Sequence, residues 1–170
     1  MTVHTFAKSL ARSQRYTDAS WWEEAYRAFF PGFSSMVSVR DDGWAQRAGI
    51  DRVIVLKSGR TVTVDEKVRE GAWDDILLER WSDEARRTPG WVQKDLACDF
   101  IAYAFAPERT CYLLPFLPLR RAWIQHGRSW SRRHQTIRAN NGTYVTASVA
   151  VPITELYCAL NAAMATSWDG

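Results

Sequence analysis

One segment of the chain has the pattern of two antiparallel strands joined by a tight turn: DRVIVLKSGRTVTVDEKV, residues 51–68. It begins with the apolar run VIVL at 53–56, continues through a Ser-Gly dipeptide at 58–59, and then alternates threonine with valine. Runs of this kind on either side of a short glycine-containing turn predict a β-hairpin. Because successive side chains of a strand point to opposite faces, we expect Asp65 and Lys67 on the same face of the second strand.

The segments on both sides of this hairpin predict further helices and strands. Ser20 and Glu23 have the spacing of a helix capping box, and Pro31 and Gly32 end the apolar stripe that follows. The predicted helices cover residues 20–30, 91–96, 119–125 and 153–164, and the predicted strands cover 36–40, 75–81, 99–105, 111–116 and 144–149. This order of elements favours an α/β or α+β class, with a mixed β-sheet flanked by helices.

Length and composition predict one domain outside the membrane. The chain has 170 residues, 46% of them hydrophobic and 24% charged, which is enough for one sizeable core. We therefore expect a single domain over 1–170, with its core at about 20–105 and a C-terminal extension over 106–170. The most apolar stretch, 111–119, contains two prolines and is much shorter than the roughly 20 residues of a membrane-spanning helix. Residues 1–15 lack the apolar run of a secretory signal, so we expect a cytoplasmic protein without a membrane partner.

The cysteine and histidine patterns argue against two kinds of site. The cysteines, at positions 98, 111 and 158, are odd in number and lie in apolar segments, which predicts reduced core residues rather than disulfides. The three histidines have no metal-ligand spacing. Disulfide bonds and zinc chemistry are therefore not expected.

Acidic residues and a lysine are expected to meet at one end of the hairpin. Asp51 begins the first strand, and Asp65 and Lys67 lie near the end of the second. Two carboxylates at that place can hold Mg²⁺ or Mn²⁺ through oxygen ligands, and the lysine ammonium can offset charge on a phosphate. The alternative is that these residues form ordinary exposed ion pairs.

The register of the hairpin determines which carboxylates share a face. A two-residue loop places Asp51 opposite Glu66, whereas a three-residue loop places it opposite Asp65. The metal-site hypothesis needs the second register, or a local distortion with the same effect. If neither occurs, Glu66 is the alternative ligand.

The pattern of Asp51 followed by Asp65 and Lys67 resembles the PD-(D/E)xK nuclease superfamily, which includes restriction endonucleases and Holliday-junction resolvases. The flanking segments are similar to those of small phage-type or mobile-element nucleases. The resemblance implies a restriction-endonuclease-like fold in the order αβββαβ, with Asp51 as the lone aspartate and the other two residues as the (D/E)xK pair. Ile50 stands where the name of the family has proline.

Resolvase-like members of this superfamily also place a glutamate on the first helix, near the metal. Glu23 and Glu24 are the candidates in this chain, and Glu23 borders the apolar stripe of the predicted helix, whereas Glu24 points nearly the opposite way. The resemblance therefore implies Glu23 as a further metal ligand.

Positive charge is concentrated in the C-terminal part of the chain. Residues 109–154 contain seven arginines and no acidic residue, whereas acidic residues outnumber basic ones elsewhere. Arginines neutralise phosphates and an exposed indole stacks on a base; the alternative is a solvated segment whose arginines pair with distant acids. The predicted contacts with nucleic acid are Arg120, Arg121, Arg128, Trp130, Arg132, Arg133 and Arg138.

Together these features predict a Mg²⁺- or Mn²⁺-dependent DNA phosphodiesterase, either an endonuclease or a resolvase-like enzyme. In this hypothesis Asp51 and Asp65 bind the metal and Lys67 positions the attacking water. A palindromic DNA site would require a homodimer. The alternative is a protein that has the nuclease fold but no activity and serves as a nucleic-acid-binding or protein-interaction module.

Overall fold

The chain forms two compact units, each built from segments that are distant in sequence. The structure is a computed structural model that describes residues 16 and 19–167. The N-terminal unit comprises the described residues up to 72 together with 95–116, and the C-terminal unit comprises 73–94 with 117–167. The chain therefore leaves the N-terminal unit after residue 72 and returns to it at residue 95.

The N-terminal unit contains a helix, a short second helix and a five-stranded sheet. Its elements are α1 (Trp21–Phe29), β1 (Phe33–Ser38), α2 (Gly43–Ala48), β2 (Arg52–Leu56), β3 (Thr61–Arg69), β6 (Phe100–Phe105) and β7 (Thr110–Pro115). The strand order is β1-β2-β3-β6-β7, and every neighbouring pair is antiparallel except β3 and β6, which are parallel. The predicted hairpin thus lies inside a mixed sheet.

One face of this sheet forms an apolar core with α1. Trp22 and Tyr26 of α1 are fully buried, and they belong to one cluster with Ile54 of β2, Val64 of β3 and Ala102 of β6. The α1 side chains reach the sheet because residues four positions apart lie on the same side of a helix. Burial of these large aromatic rings stabilises this unit.

The C-terminal unit is a four-stranded antiparallel sheet with two helices. Its elements are β4 (Asp75–Asp83), β5 (Thr88–Pro89), α3 (Phe116–Arg133), β8 (Thr136–Asn140), β9 (Val145–Pro152) and α4 (Ile153–Ala163). The strand order is β5-β4-β9-β8. Ile76 pairs with Val151 and Leu78 with Val149, and all four side chains are buried. Residue 116 itself falls in the N-terminal unit, so nearly all of α3 belongs to this unit.

The class expected from the sequence, a mixture of helices and strands with a mixed sheet, is confirmed. The hairpin and the strands near 99–105 and 111–116 are also confirmed within one or two residues. The expected helix at 91–96 is wrong, because the chain forms turns there, and the strand at 75–81 belongs to a second sheet. Ser20 makes no side-chain cap hydrogen bond, so the capping box is also wrong.

Further comparisons with the expectations concern the ends of elements, the thiols and membrane spans. The helix expected at 119–125 extends over Phe116–Arg133, and β8 and α2 had no counterpart among the predicted elements. All three cysteines are free, but Cys158 is exposed rather than buried in the core. Within the described residues, none of the helices combines the length and apolar character that a membrane span requires.

Candidate active site

The hairpin loop contains three residues. Val55 pairs with Thr61 and Arg52 with Val64, and the Leu56 N–H donates to the Arg60 carbonyl oxygen at 2.9 Å. Residues 57–59 therefore form the loop. Of the two registers considered for the hairpin, the one that the metal-site hypothesis needs is the one observed.

Asp51 lies just before Arg52, the first residue of β2 that pairs with β3, and hydrogen bonds of its backbone and side chain hold it there. Its N–H donates to the Val64 carbonyl at 2.9 Å, and its Oδ2 accepts from the Glu66 N–H at 2.8 Å. The helix that leads into it, α2, ends at Gly49, which adopts φ +69° and donates its N–H to Gln46. Glycine suits this left-handed end of a helix. Gly49 lies two residues before Asp51, so the chain turns here from α2 toward β2.

Asp65 is the buried centre of the acidic cluster. The Lys67 Nζ lies 2.6 Å from its Oδ2 and 2.8 Å from its Oδ1. Burial raises the pKa of Asp65 to about 6, the Lys67 ammonium opposes this, and the charge of the Asp51 carboxyl and a hydrogen bond with it raise the pKa further. The structure thus brings Asp51, Asp65 and Lys67 together, as the sequence predicts, with one residue between the two members of the ion pair.

Glu66 lies on the opposite face of β3 and is fully engaged there. Its Oε1 accepts from the Arg52 Nε at 2.6 Å and from the Tyr26 hydroxyl at 2.7 Å, and its Oε2 accepts from Arg40 Nη2 at 2.9 Å. Its side chain has no exposed surface. Glu66 therefore serves as a buried structural anion, and its role as the alternative metal ligand is not supported by its position.

Arg40 connects the two faces at this end of the sheet. Its Nη2 lies 3.3 Å from Asp51 Oδ2 as well as 2.9 Å from Glu66 Oε2, and its side chain is 22% exposed. Sequence reasoning missed Arg40, Arg52 and Tyr26. The only sequence signal that Glu66 faces the core is that it lies between Asp65 and Lys67, which by strand alternation face the other side of the sheet.

Glu23 does not join the acidic cluster. Its Oε1 accepts from Arg27 Nη2 at 2.6 Å, an exposed pair one helical turn apart on α1. Helix α1 covers the face of the sheet that carries Glu66, since Tyr26 donates to that carboxylate. The expectation that Glu23 is a metal ligand is therefore not supported, because α1 lies on the other face from Asp65.

The arginines of the predicted basic segment are divided between ion pairs and other positions. Arg138 forms two hydrogen bonds with Glu84, at 2.7 and 2.8 Å, and Arg133 lies 2.5 Å from Glu155. Arg121 donates to the Ala163 carbonyl at 3.0 Å. These pairings agree in part with the alternative of arginines neutralised by acids elsewhere.

Trp130 does not fulfil its predicted role. The indole is 1% exposed, and its Nε1 donates to Glu155 Oε1 at 2.7 Å. Partial burial opposes ionisation of Glu155, but hydrogen bonds from Arg133 and Trp130 hold the pKa of this carboxyl below its usual range. A buried ring cannot stack on a base, so the base-stacking prediction is wrong. Arg120, Arg128 and Arg132 lie on α3, and the latter two are exposed.

A divalent cation fits the donor chemistry of the acidic cluster. Asp51 and Asp65 offer carboxylate oxygens, and the buried Asp65 Oδ2 has an ion pair but no aligned hydrogen bond. Mg²⁺ is commonly held by one or two carboxylates, with water and substrate phosphate as its other ligands. Burial raises the pKa of the neighbouring Cys98 to about 12, which keeps this thiol protonated and unsuited to metal binding. No group of three or more His, Cys, Asp or Glu side chains in the described part of the chain is arranged to hold a metal.

Comparison with known proteins identifies no relative of this chain: no family model, no curated protein and no solved structure matches it.

Proposed function

We propose that the chain is a divalent-metal-dependent DNA phosphodiesterase whose active site is Asp51, Asp65 and Lys67. One observation carries the proposal: the buried Asp65 carboxyl lies 2.6 Å from the Lys67 ammonium, and burial together with the charge of the Asp51 carboxyl raises its pKa. Paired carboxyls with a perturbed pKa and a cationic partner are typical of functional sites. Burying a charged group is unfavourable, so a purely structural role explains this arrangement less well.

The topology of the N-terminal unit also supports the proposal. Helix α1 precedes three antiparallel strands, and β6 then pairs in parallel with β3. This chain order is similar to the αβββαβ order that the resemblance to PD-(D/E)xK nucleases implies, with α2 added between β1 and β2. The unit departs from that order before β6, where the expected helix is replaced by the excursion of residues 73–94 into the C-terminal unit.

In the proposed mechanism the carboxylates of Asp51 and Asp65 would hold the cation. A cation held there would polarise the phosphate and supply a more acidic water for the attack. The Lys67 ammonium, already 2.6 Å from Asp65, stabilises negative charge that develops on the phosphate oxygens. The water oxygen loses a proton and forms the new bond to phosphorus, the bond from phosphorus to the sugar oxygen breaks, and that sugar oxygen takes up a proton. Arg40 holds Asp51 in place through their 3.3 Å contact.

The test is cleavage of labelled linear, branched and single-stranded DNA with Mg²⁺ or Mn²⁺. We expect metal-dependent cleavage that falls by about 100-fold or more in Asp65→Ala and Lys67→Ala, because preorganised charge contributes roughly that much to catalysis. Matched controls are Glu108→Gln, an exposed carboxyl in the same unit, and Lys57→Ala, an exposed lysine in the hairpin loop. Cleavage that survives in both site variants would contradict the proposal.

A second candidate is a protein that has this fold but does not cleave DNA. It is favoured by the fact that both carboxyls already have cationic partners, Lys67 for Asp65 and Arg40 for Asp51. Such a protein would bind nucleic acid, or another protein, without metal-dependent hydrolysis. The same assay separates the two candidates, since this one shows no cleavage under any metal condition.

A further inference from the structure

A cleft in the C-terminal unit is lined by three arginines. Arg120 and Arg128 come from α3 and Arg80 from β4, and the side chains of Gln93 and Trp123 complete the walls. The two α3 arginines are eight residues apart, which places them on one side of the helix, two turns from each other. Sequence reasoning connected Arg120 and Arg128 with nucleic acid but had no means of bringing Arg80 beside them.

Contacts of the lining residues shape the walls of the cleft. Gln93 donates its side-chain N–H to the Arg80 carbonyl, and the Arg80 guanidinium lies 5.0 Å from the centre of the Trp81 ring. A side chain at Gly127 would place its Cβ 2.8 Å from the Trp123 ring, so only glycine lets this indole pack against the helix as a wall of the cleft.

The lining of the cleft carries charge of one sign. Among the described residues that line it, three are arginines and none is acidic. A concave site with one sign of charge concentrates the electrostatic potential and attracts anions. The ligand that this lining suits is therefore negatively charged.

We infer that this cleft binds phosphates of a nucleic-acid backbone. Guanidinium groups donate paired hydrogen bonds to phosphate oxygens, and three of them around one cleft can contact successive phosphates of a strand. Ile124, which also lines the cleft and is 73% exposed, offers an apolar surface for the sugar between the phosphates. The inference goes beyond the proposed catalytic function, because binding here requires neither metal nor cleavage and would hold equally for an inactive chain.

The test is binding of fluorescently labelled DNA to the full chain by anisotropy, with EDTA present so that no cleavage occurs. Affinity is measured between about 50 and 200 mM salt, because each phosphate contact adds about 0.9 to the slope of log affinity against log salt. We expect Arg120→Ala/Arg128→Ala to weaken binding by about 10-fold or more and to reduce that slope by about 2. Arg132→Ala is the matched control, since this residue is exposed on the same helix but does not line the cleft.

Three outcomes would overturn the inference. One is an equal loss of affinity in Arg132→Ala, which would mean diffuse attraction to the whole helix. Another is the absence of salt-dependent DNA binding by the unaltered chain. The last is stabilisation of the chain against thermal unfolding by inorganic phosphate in the absence of any DNA binding, which would mean a site for small phosphates only. Arg128→Lys keeps the positive charge and should retain most of the affinity for DNA. Thermal unfolding of each variant verifies that it is folded.

Discussion

Asp65 and Glu66 are neighbours in sequence and both nearly fully buried, yet their surroundings are opposite in character. Glu66 is surrounded by donors: two arginines and a tyrosine hydroxyl satisfy both of its oxygens. Asp65 has one lysine and a second carboxyl beside it, and its pKa is raised to about 6. Glu66 therefore has the environment of a structural anion, whereas the environment of Asp65 opposes its own ionisation, as is common where a side chain is kept for chemistry.

The raised pKa predicts that removing the charge of Asp65 stabilises the protein. An unfolded aspartate titrates near pH 4, so between about pH 4 and 6 the folded state binds more protons and the free energy of unfolding falls as pH rises. At slightly alkaline pH, Asp65→Asn should be more stable than the unaltered chain by about 3 kcal/mol, since the pKa is raised by about two units and each unit corresponds to about 1.4 kcal/mol. Urea unfolding across this pH range measures the difference.

The control for this prediction is Glu108→Gln, an exposed carboxyl whose neutralisation should change stability by less than about 0.5 kcal/mol. The gain in Asp65→Asn should disappear near pH 4, where Asp65 is protonated in the folded protein. A variant that is less stable than the unaltered chain at alkaline pH would mean that the ion pair with Lys67 outweighs the burial of the charge.

The candidate site residues were named from the sequence, but their partners were not. Strand alternation places Asp65 and Lys67 on one face, whereas the face of Asp51 depended on the length of the loop, which the sequence left open between two and three residues. Arg40 comes from outside this hairpin and joins it only through the sheet. Glu23 was misplaced because a helical wheel shows which side of a helix faces a sheet, but not which face of the sheet the helix covers.

Among the elements, α2 and the hairpin loop both depend on a glycine with positive φ. Gly49 ends α2 at φ +69° and Gly59 closes the loop at φ +82°. Their surroundings differ: a Cβ at Gly49 would lie 2.8 Å from Leu96, whereas a Cβ at Gly59 would meet nothing within 4 Å. The pair therefore separates the cost of backbone strain from the cost of a clash.

We expect Gly59→Ala to lower the free energy of unfolding by about 1 kcal/mol, the usual cost of a left-handed conformation for a residue with a Cβ. Gly49→Ala should cost about 3 kcal/mol, because overpacking against Leu96 adds to the same strain. Chemical denaturation of the two variants measures both terms. Equal losses would mean that Leu96 moves aside at no cost.

The helix expected at 91–96 illustrates how packing overrides a local pattern. Gly90 lies so close to β4 that a Cβ there would be 2.1 Å from the Glu79 carbonyl oxygen, and its N–H donates to the Arg80 carbonyl at 2.8 Å. The backbone that follows is thus tied to a strand of the second sheet. Propensity is a weak preference that such tertiary contacts overcome.

At the scale of the whole molecule, each of the two units is built from segments that are separated in sequence by a segment of the other unit. The strand β4 lies between β3 and β6 in sequence, yet it pairs with the adjacent β5 and with β9, from the end of the chain. All five strands of the N-terminal sheet are complete by residue 115. The C-terminal sheet, in contrast, requires residues 73–94 together with those after 117.

This topology predicts the behaviour of a fragment of residues 1–116. The fragment keeps every strand of the N-terminal sheet but leaves β4 without β9, which exposes Ile76 and Leu78 and an unpaired strand edge. Such edges associate with one another. We expect the fragment to bind a hydrophobic dye and to form oligomers in sedimentation experiments.

The control is the same 1–116 fragment carrying Ile76→Asn and Leu78→Asn, which should reduce both dye binding and association. A fragment that is monomeric and binds no dye without these substitutions would contradict the prediction. It would show that the edge and the apolar side chains of β4 are covered in the fragment even without β9.

Local sequence patterns were sufficient to predict the hairpin, its catalytic candidates and most strands of the first sheet. These depend on side-chain alternation, turn residues and apolar runs, which act over a few residues. The three-dimensional structure was needed to show that the strands form two sheets, that Glu66 pairs with Arg40 and Arg52, that Trp130 is buried, and that Arg80 lies beside Arg128. Each of these depends on pairing between residues far apart in the chain. A single sequence carries no local signal for such contacts, because they are set by which apolar faces pack together.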